Sequence, residues 1–386
     1  MTRTSNSTAE NHVLAVIGSG RARSRREISQ ILSLSPSTVS QHVQSLLAQR
    51  LIEEGEARGS TGGRRAKELR LAGDADLIGA IDLGGAHARL AVVPRGKPLD
   101  SSAEIPVTMS DGPRSVLTAC IEELRRMAGA APLAGVGIAL PGPVDSDTRG
   151  VVSPSRMPGW ADVDISALLS EIAGVPAAIE NDANAMAIGE HFAHSPSATA
   201  SITVKAGTAI GAGIVIDGQI YRGAAGVAGD ITHTRVSAAH DRQCSCGNRG
   251  CLETVASGAA LVRLLREEGV DADSTTEVLA LVRDAHPVAT RLARESGHHL
   301  GEVLCAVVNF FNPSALYVSG ALTSLEPFMS ALRSEIYEGS HPLMTRDLTI
   351  APAALGADAA LVGVAREVNE LLARLTHGSG GGASGP

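Results

Sequence analysis

The sequence predicts an α/β protein with a two-lobed body and a small, basic N-terminal module. A glycine-rich turn follows an apolar strand at residues 82–85, and a second one lies between apolar strands at residues 205–213. Two related units of this kind indicate a duplicated α/β fold with a cleft between its lobes. The distribution of charge indicates that the N-terminal part is a separate module. Residues 1–72 hold eleven Lys and Arg against six Glu and no Asp, whereas the whole chain has a net charge of −8. This distribution favours a nucleic-acid anchor on a sensor or an enzyme.

The N-terminal module begins with three predicted helices. The first spans residues 8–19, and the capping-box spacing of Ser24-Arg-Arg-Glu27 begins the second. Ser35 as N-cap and Pro36 at the first helical position begin the third. Two short helices joined by a tight turn, the second of them polar on its outer face, predict a helix-turn-helix.

A basic β hairpin is predicted to follow these helices. Residues 51–55 and 67–71 are strand-like, and the glycine-rich tip between them carries several arginines. This pattern is typical of a wing, so helices and hairpin together predict a winged helix that binds a double-stranded DNA operator. The alternative is a helical bundle with a solvated basic face and no nucleic-acid partner. The residues expected to contact DNA are Ser37, Thr38, Gln41 and His42 at the start of the third helix, and Arg58, Arg64 and Arg65 in the tip.

Three of the five cysteines, Cys244, Cys246 and Cys251, lie within eight residues, and two glycines in this stretch let the chain turn tightly. Thiolates at this spacing can bind one tetrahedral Zn²⁺, and clustered cytosolic cysteines bind metal more often than they form disulfides. A fourth ligand is needed, and both His233 and His240 are candidates. The alternative is a glycine-rich loop that holds cysteines without a metal.

A polar segment, Glu180-Asn-Asp-Ala-Asn184, follows a predicted buried strand. Open α/β sheets usually bind ligands at this end of their strands. Asp182 is therefore a candidate general base toward a hydroxyl group, or a hydrogen-bond acceptor for a sugar. The alternative for Asp182 is a helix N-cap, which the helix dipole favours.

Six motifs occur in order along the body. They are Asp82-Leu-Gly-Gly85, Leu140-Pro-Gly-Pro-Val-Asp145, Met157-Pro-Gly-Trp160, Glu180-Asn-Asp-Ala-Asn184, Gly229-Asp-Ile-Thr-His233, and the cysteine motif followed by Glu253. Over about residues 77–376 they resemble the ROK family (repressors, open reading frames and sugar kinases), and the winged helix resembles the regulator branch of that family. The resemblance implies a two-lobed, actin-like ATPase fold with a structural zinc site.

The resemblance also implies roles for individual residues. The family holds zinc with one histidine and three cysteines, which correspond here to His233, Cys244, Cys246 and Cys251. The family's sugar-binding positions correspond to Asn181, Asp182, Asp230, His233 and Glu253. Asp230 stands where the family usually has Glu, so the sugar preferred by this chain is expected to differ.

The phosphate loops depart from the kinase pattern of the family. Ala86 stands in place of a threonine, and Ala209 stands in place of a glycine. Ala321 lies in the segment that corresponds to the family's glycine-rich adenosine-binding segment and that has fewer glycines here. A methyl group at position 209 restricts the backbone and obstructs a phosphate. We therefore expect no ATP turnover and no enzymatic activity, with Asp182 as the vestigial base position.

The expected organisation has four parts: a winged helix-turn-helix at residues 1–73, a first lobe at 77–196 with a C-terminal helix at 357–376, a second lobe with the zinc motif at 197–356, and a disordered tail at 377–386. The N-terminus is polar and no long apolar run follows, so we expect a cytoplasmic protein that associates with the nucleoid when bound to DNA.

We expect a sugar-responsive transcriptional regulator, and specifically a repressor of genes for carbohydrate uptake or catabolism. A homodimer or homotetramer would bind the operator, and a sugar or sugar phosphate would bind in the cleft as effector. The alternatives are an ATP-dependent sugar kinase with an added DNA-binding domain, and a regulator that responds to a protein partner or to no ligand.

Overall fold

The structure of the protein is a computed structural model. It describes residues 10, 12–14, 16–17, 21–48, 52–57, 67–71, 76–145, 150–151, 157, 159–161, 163–194 and 198–378. The chain divides into two compact units, Met1–Ser197 with Asp358–Pro386, and Ala198–Ala357. Each unit has a five-stranded mixed sheet with helices, so the predicted α/β fold class is confirmed. The predicted tip of the wing, with Arg58, Arg64 and Arg65, and residues 379–386 of the predicted tail lie outside the described residues.

The N-terminal module of the first unit consists of short helices and an antiparallel hairpin, namely α1 (Arg25–Leu32), α2 (Pro36–Ala48), β1 (Ile52–Ala57) and β2 (Lys67–Leu71). Ser24 caps α1, because its side chain accepts a hydrogen bond from the Glu27 N–H at 3.3 Å. Ser35 accepts one from the Thr38 N–H at 3.1 Å at the start of α2. Apolar side chains from the preceding helical residues, both helices and the hairpin form one core: Val13, Val16, Ile28, Val39, Val43, Leu46, Ile52 and Leu69.

The rest of the first unit is built on a sheet of order β5-β4-β3-β6-β7, in which β6 and β7 run parallel to β3 and the other pairs are antiparallel. Its strands are β3 (Leu77–Leu83), β4 (His87–Pro94), β5 (Ala103–Pro106), β6 (Leu133–Leu140) and β7 (Ala177–Asn181). Its helices are α3 (Pro113–Ala128), α4 (Ile165–Ala173), α5 (Asp182–His194) and, from the end of the chain, α12 (Ala359–Gly378).

Glycines in the strands bring helices close to both faces of this sheet. A Cβ atom at Gly79 would lie 2.8 Å from Leu124 of α3. A Cβ atom at Gly137 would lie 2.8 Å from the carbonyl oxygen of Val364 of α12. Gly79 pairs with Val136, the neighbour of Gly137, and successive strand residues point to opposite faces. Helices α3 and α12 therefore cover opposite faces.

The last helix, α12, also contacts α5 backbone to backbone. A Cβ atom at Gly363 would collide with the carbonyl oxygen of Ala185, and one at Gly189 would collide with that of Ala359. The two glycines thus remove the side chains that would keep these helices apart. The contact joins the end of the chain to its middle and completes the first unit.

The second unit has a sheet of order β10-β9-β8-β11-β12, in which β11 is parallel to β8 and β12. Its strands are β8 (Ala200–Ala206), β9 (Ile210–Ile216), β10 (Gln219–Ile220), β11 (Ala315–Ser319) and β12 (Thr349–Pro352). Its helices are α6 (Glu253–Ala256), α7 (Gly258–Glu267), α8 (Thr275–Arg283), α9 (Pro287–Phe311), α10 (Glu326–Gly339) and α11 (Pro342–Thr345). Among the described residues of the whole chain, no helix combines the length and the apolarity needed to cross a membrane.

A buried histidine lies near the end of α5. His191 is fully buried and makes an edge contact with Phe192, over whose ring the guanidinium group of Arg366 lies 3.3 Å from the centroid. The pKa of His191 is lowered to about 4, chiefly by burial and also by the positive charges of Arg366 and of His12 in the N-terminal module. The end of α5 therefore lies within electrostatic range of both α12 and the N-terminal module.

We predict that His191 makes the protein less stable as the pH falls from about 6.5 to about 4. In this window the unfolded chain binds a proton at His191 that the native protein does not bind, so the free energy of unfolding falls with pH. The difference between the two pKa values corresponds to about 3 kcal/mol. In urea unfolding over this window, His191→Gln should lose less stability than the parent protein.

The matched control is His87→Gln, because His87 is exposed on β4. Its loss of stability with pH should equal that of the parent protein. Equal pH dependence in the parent protein and in His191→Gln would contradict the prediction.

Candidate functional site

The cysteine loop of the second unit is folded by its own backbone hydrogen bonds. The Cys244 N–H donates to the carbonyl of Asn248 at 2.9 Å, and the Gly247 N–H donates to the carbonyl of Cys244 at 3.0 Å. Gly250 has a φ of 80°, and a Cβ atom there would lie 2.8 Å from the carbonyl oxygen of His240, so a glycine is required at this position. These turns bring the three thiols to one side of the loop.

Four side chains converge at this loop, those of His233, Cys244, Cys246 and Cys251, and their ligand atoms all lie within 4.8 Å of one another. His233 Nδ1 is 3.5 Å from the sulfur of Cys244, and the sulfurs of Cys246 and Cys251 are 3.7 Å apart. Tetrahedral zinc bonds of about 2.0–2.3 Å place neighbouring ligand atoms about 3.5–3.8 Å apart. The group can therefore hold a metal ion, and His240 does not belong to it.

The thiols of the loop differ in acidity. Burial, together with the neighbouring thiols, raises the pKa of Cys251 to about 12. The backbone N–H of Asn248 lowers the pKa of the exposed Cys246 thiol. Because a metal binds the thiolate form, a bound ion displaces protons from both residues, and metal affinity should rise with pH.

The polar segment after β7 is held by a network of short-range hydrogen bonds. The side-chain oxygen of Asn181 accepts from the Asn184 N–H at 3.1 Å, and its amide donates to the carbonyl of Gly142 at 2.8 Å. Asp182 accepts from the Ala183 N–H at 2.8 Å. Asn181 and Asp182 therefore lie at the start of α5, where the helix N–H groups favour negative charge or hydroxyl ligands.

Glu180 has a positioning role that the sequence did not indicate. Its carboxylate is buried and accepts from the Asn181 N–H at 2.8 Å and from the Asn184 side chain at 3.0 Å. A buried carboxylate is costly unless hydrogen bonds compensate it, so these bonds fix both asparagines. No sequence signal separates this role from that of an ordinary strand-end carboxylate.

In the second unit, Glu253 supports the glycine-rich loop between β8 and β9. It is only 8% exposed, and its carboxylate accepts from the Ile210 N–H at 3.1 Å. Thr232 donates to the Ile210 carbonyl at 2.9 Å, and the exposed Asp230 accepts from the Thr232 N–H at 3.1 Å. Asp230, Glu253 and the loop that carries Ala209 are thus joined through Thr232 and Ile210.

The start of α2 presents part of the predicted DNA-contacting set. Ser37 and Gln41 are exposed and Thr38 is half-buried. The prediction for His42 is wrong, since this residue is only 2% exposed and its Nδ1 lies 3.8 Å from the carboxylate of Glu10. The reason is helical geometry: His42 falls on the same inner face as the buried Val39, Val43 and Leu46.

Comparison with known families identifies the body of the chain. A model of the ROK family matches residues 78–370. The xylose repressor of Bacillus spizizenii is 30% identical over 356 residues, which are 90% of this chain and 91% of the repressor. The glucokinase of Halalkalibacterium halodurans is 28% identical over 306 residues, which are 73% of this chain and 92% of the glucokinase.

Solved structures have the same fold. A ROK family transcriptional regulator, described as a homolog of the E. coli MLC protein, has a TM-score of 0.75 and 24% identity, covering 97% of this chain and all of the regulator. A ROK family glucokinase from Streptomyces griseus, solved with glucose and AMPPNP, has a TM-score of 0.65 and 26% identity, covering 75% of this chain and 98% of the glucokinase.

We predict that Cys246→Ser lowers both the metal content and the melting temperature of the purified protein. A serine hydroxyl does not replace a thiolate ligand, and a metal that holds a loop contributes directly to folding free energy. Elemental analysis and calorimetry measure the two effects. The control Cys305→Ser alters a half-buried thiol of α9 and should retain the metal. Unchanged metal content in Cys246→Ser would exclude this group as the metal site.

Proposed function

The chain belongs to the ROK family, and from this we propose that it is a sugar-responsive, DNA-binding transcriptional regulator that represses genes for carbohydrate uptake or catabolism. The difference between the two kinds of relative carries this proposal. Similarity to the xylose repressor extends over 90% of the chain, whereas similarity to the glucokinase extends over 73%. The ROK model begins at residue 78, so the additional part is the basic N-terminal module, which a sugar kinase does not need.

We assign residues 1–73 to a winged-helix DNA-binding domain. Two helices joined by a tight turn and followed by an antiparallel hairpin support this assignment. In this proposal α2 enters the major groove with Ser37, Thr38 and Gln41, and Arg58, Arg64 and Arg65 bind phosphates or the minor groove. A dimer, or a tetramer built from dimers, would bind both halves of a pseudo-palindromic operator in the cytoplasm.

The proposed effector is a sugar or a sugar phosphate. Its proposed contacts in the first unit are Asn181 and Asp182, and those in the second unit are Asp230, His233 and Glu253. Support comes from the oriented oxygens and amides at the start of α5 and from the network around Thr232, since polar groups held in place recognise hydroxyl groups well. The shorter Asp230, at a position where the family resemblance implies Glu, is expected to alter which sugar is preferred.

We propose that the metal of the cysteine loop is a structural Zn²⁺. Three thiolates and one imidazole are a closed, tetrahedral donor set of the kind that Zn²⁺ prefers. When bound, the ion supplies folding free energy to the loop and no reaction chemistry. Because His233 belongs to the same group of ligands, the ion would also fix one of the proposed sugar contacts.

Helix α5 provides a route from the effector to the DNA-binding module. It begins at Asp182, and near its end His191 lies within electrostatic range of His12. Suppose that α5 can adopt two placements and that the sugar has a higher affinity for one of them. Binding would then favour that placement and change the surroundings of the N-terminal module. Coupling of this kind requires only that the helix move as a rigid body.

We propose that the chain does not act as a kinase. Ala86, Ala209 and Ala321 replace residues that the kinase pattern of the family uses around phosphate and adenosine. The second candidate is nevertheless a sugar kinase with an added DNA-binding domain, because Asp182 is retained and the glucokinase similarity covers most of the body. A third candidate is a regulator controlled by a protein partner or by no ligand.

We predict that Gln41→Ala weakens binding to DNA from the protein's own upstream region about tenfold. Loss of one base contact costs about 1–3 kcal/mol. Fluorescence anisotropy at fixed salt concentration measures the effect. The matched control Gln30→Ala, an exposed residue of α1, should bind as the parent protein does. Equal affinities of the parent protein, Gln41→Ala and Gln30→Ala for DNA would show that α2 is not the recognition helix.

We also predict that Asp182→Asn abolishes the response to sugar but leaves the affinity for DNA unchanged when no sugar is present. The substitution keeps the acceptor for the Ala183 N–H and removes the charge. The measurement is operator affinity across a panel of monosaccharides and their phosphates. The control Asp217→Asn, in an exposed turn with a φ of 50° that asparagine tolerates, should keep the response.

The same panel with Mg-ATP separates the candidates. Product formation that is lost in Asp182→Asn would establish the kinase. An operator affinity that no sugar changes, without turnover, would favour the regulator that depends on a protein partner or on no ligand.

A further inference from the structure

A second group of metal-binding side chains lies on the long helices of the second unit. His298, His299 and Glu302 lie on α9, and Glu335 lies opposite them on α10. We propose that His298, His299 and Glu302 form a binding site for a divalent transition-metal ion, with Zn²⁺ as its best occupant. The site shares no residue with the cysteine loop.

The spacing of the three side chains fits a single ion. His298 Nε2 is 3.7 Å from one oxygen of Glu302, and His299 Nδ1 is 3.6 Å from the other. One ligand atom from each residue lies within 4.8 Å of the other two. Zinc bonds of about 2.0–2.2 Å place neighbouring nitrogen and oxygen ligands about 3.3–3.5 Å apart. The two distances to Glu302 thus exceed the values expected around a bound ion by only a few tenths of an ångström.

Glu335 orients the first of these histidines. Its carboxylate forms a close contact with this ring, with one oxygen 2.8 Å from His298 Nδ1. A carboxylate at this position favours a proton on Nδ1, which leaves the lone pair on Nε2, the nitrogen that lies 3.7 Å from Glu302. A carboxylate behind a histidine is the usual support of a metal ligand.

The second histidine has a nitrogen that lacks a hydrogen bond. His299 Nδ1 is buried, and among the residues that the structure describes it has no hydrogen-bond partner. A buried ring nitrogen without a partner is unfavourable. A metal ion shared with Glu302 would satisfy this atom, because the carboxylate is too distant for a hydrogen bond but close enough for a common ligand.

Two glycines of α9 allow α10 to approach closely enough for Glu335 to reach His298. A Cβ atom at Gly301 would lie 2.7 Å from that of Glu335, and one at Gly297 would collide with the carbonyl of Phe328. The close packing of the two helices thus builds the outer part of the site. An ion bound to α9 would be linked to α10 through Glu335.

The donors determine which ions fit. Two imidazoles and one carboxylate favour Zn²⁺, Co²⁺, Ni²⁺ or Cu²⁺, whereas Mg²⁺ and Ca²⁺ prefer oxygen ligands. Three protein ligands leave one tetrahedral position for water or for a donor from another molecule. The competing interpretation is a network of ion pairs between protonated histidines and the two glutamates, with no metal.

Equilibrium dialysis of the full-length protein against Zn²⁺, with elemental analysis, tests the proposal. His298→Gln and Glu302→Gln should each bind one ion fewer per chain than the parent protein. Glu335→Gln should bind that ion about 10–100-fold more weakly, as expected for a residue that supports a ligand. The matched control Glu295→Gln, which removes a carboxylate paired with Arg291 on the same helix, should bind as the parent protein does.

Substitution with Co²⁺ separates this site from the cysteine loop and checks the fold. Thiolate-to-cobalt charge transfer reports only the loop, so the band should persist in His298→Gln while the weaker visible bands of a nitrogen and oxygen site disappear. Equal zinc content in the parent protein, His298→Gln and Glu302→Gln would overturn the proposal and establish the ion-pair network.

Discussion

The backbone contact between α5 and α12 is the interaction on which the first unit depends. Gly189 and Gly363 let the two helices touch without intervening side chains, and Gly137 lets α12 lie directly on the sheet. Because α12 comes from the end of the chain, the residues of the second unit are inserted in the sequence between two segments of the first. A methyl group at any of these glycines would push α12 away from both neighbours at once, and overpacking of this kind usually costs about 1–3 kcal/mol.

Two buried carboxylates shape the proposed ligand-binding segments in a similar way. Glu180 accepts the N–H of Asn181 at the end of β7, and Glu253 accepts the N–H of Ile210 beside the second glycine-rich loop. Each carboxylate is removed from water, and the backbone groups that it binds compensate part of the cost. The segments therefore hold their shape before any ligand arrives, which reduces the ordering cost of binding.

The sequence was most informative where local chemistry decides the structure. The capping signals at Ser24 and Ser35 begin helices as predicted. The cysteine spacing indicated a metal loop because all three thiols lie close together along the chain. His233 is eleven residues before Cys244, and it joins the group through the backbone bridge between Arg235 and Cys251, which spacing alone does not reveal.

Other features depend on tertiary contacts, or on helical periodicity rather than on capping signals. The separation of α6 from α7 is one such feature, because Ser257 begins α7 by accepting from the Ala260 N–H. Helix α10 has a recognisable pattern, since Phe328, Leu332 and Ile336 have helical spacing. His42 was assigned to DNA by its position in the helix, whereas the periodicity of Val39, Val43 and Leu46 already placed it inside. The role of Glu180 depends on the direction of its buried carboxylate toward Asn181 and Asn184, which no sequence pattern indicates.

The late arrival of α12 has a consequence for synthesis on the ribosome. The N-terminal module folds from contacts local in sequence, so it can form as soon as it emerges. Helix α5 must wait for α12, which begins 165 residues after α5 ends, a delay of about 10–30 s at ordinary elongation rates. During this interval the nascent chain would present a formed N-terminal module while the rest of the first unit lacked its closing helix.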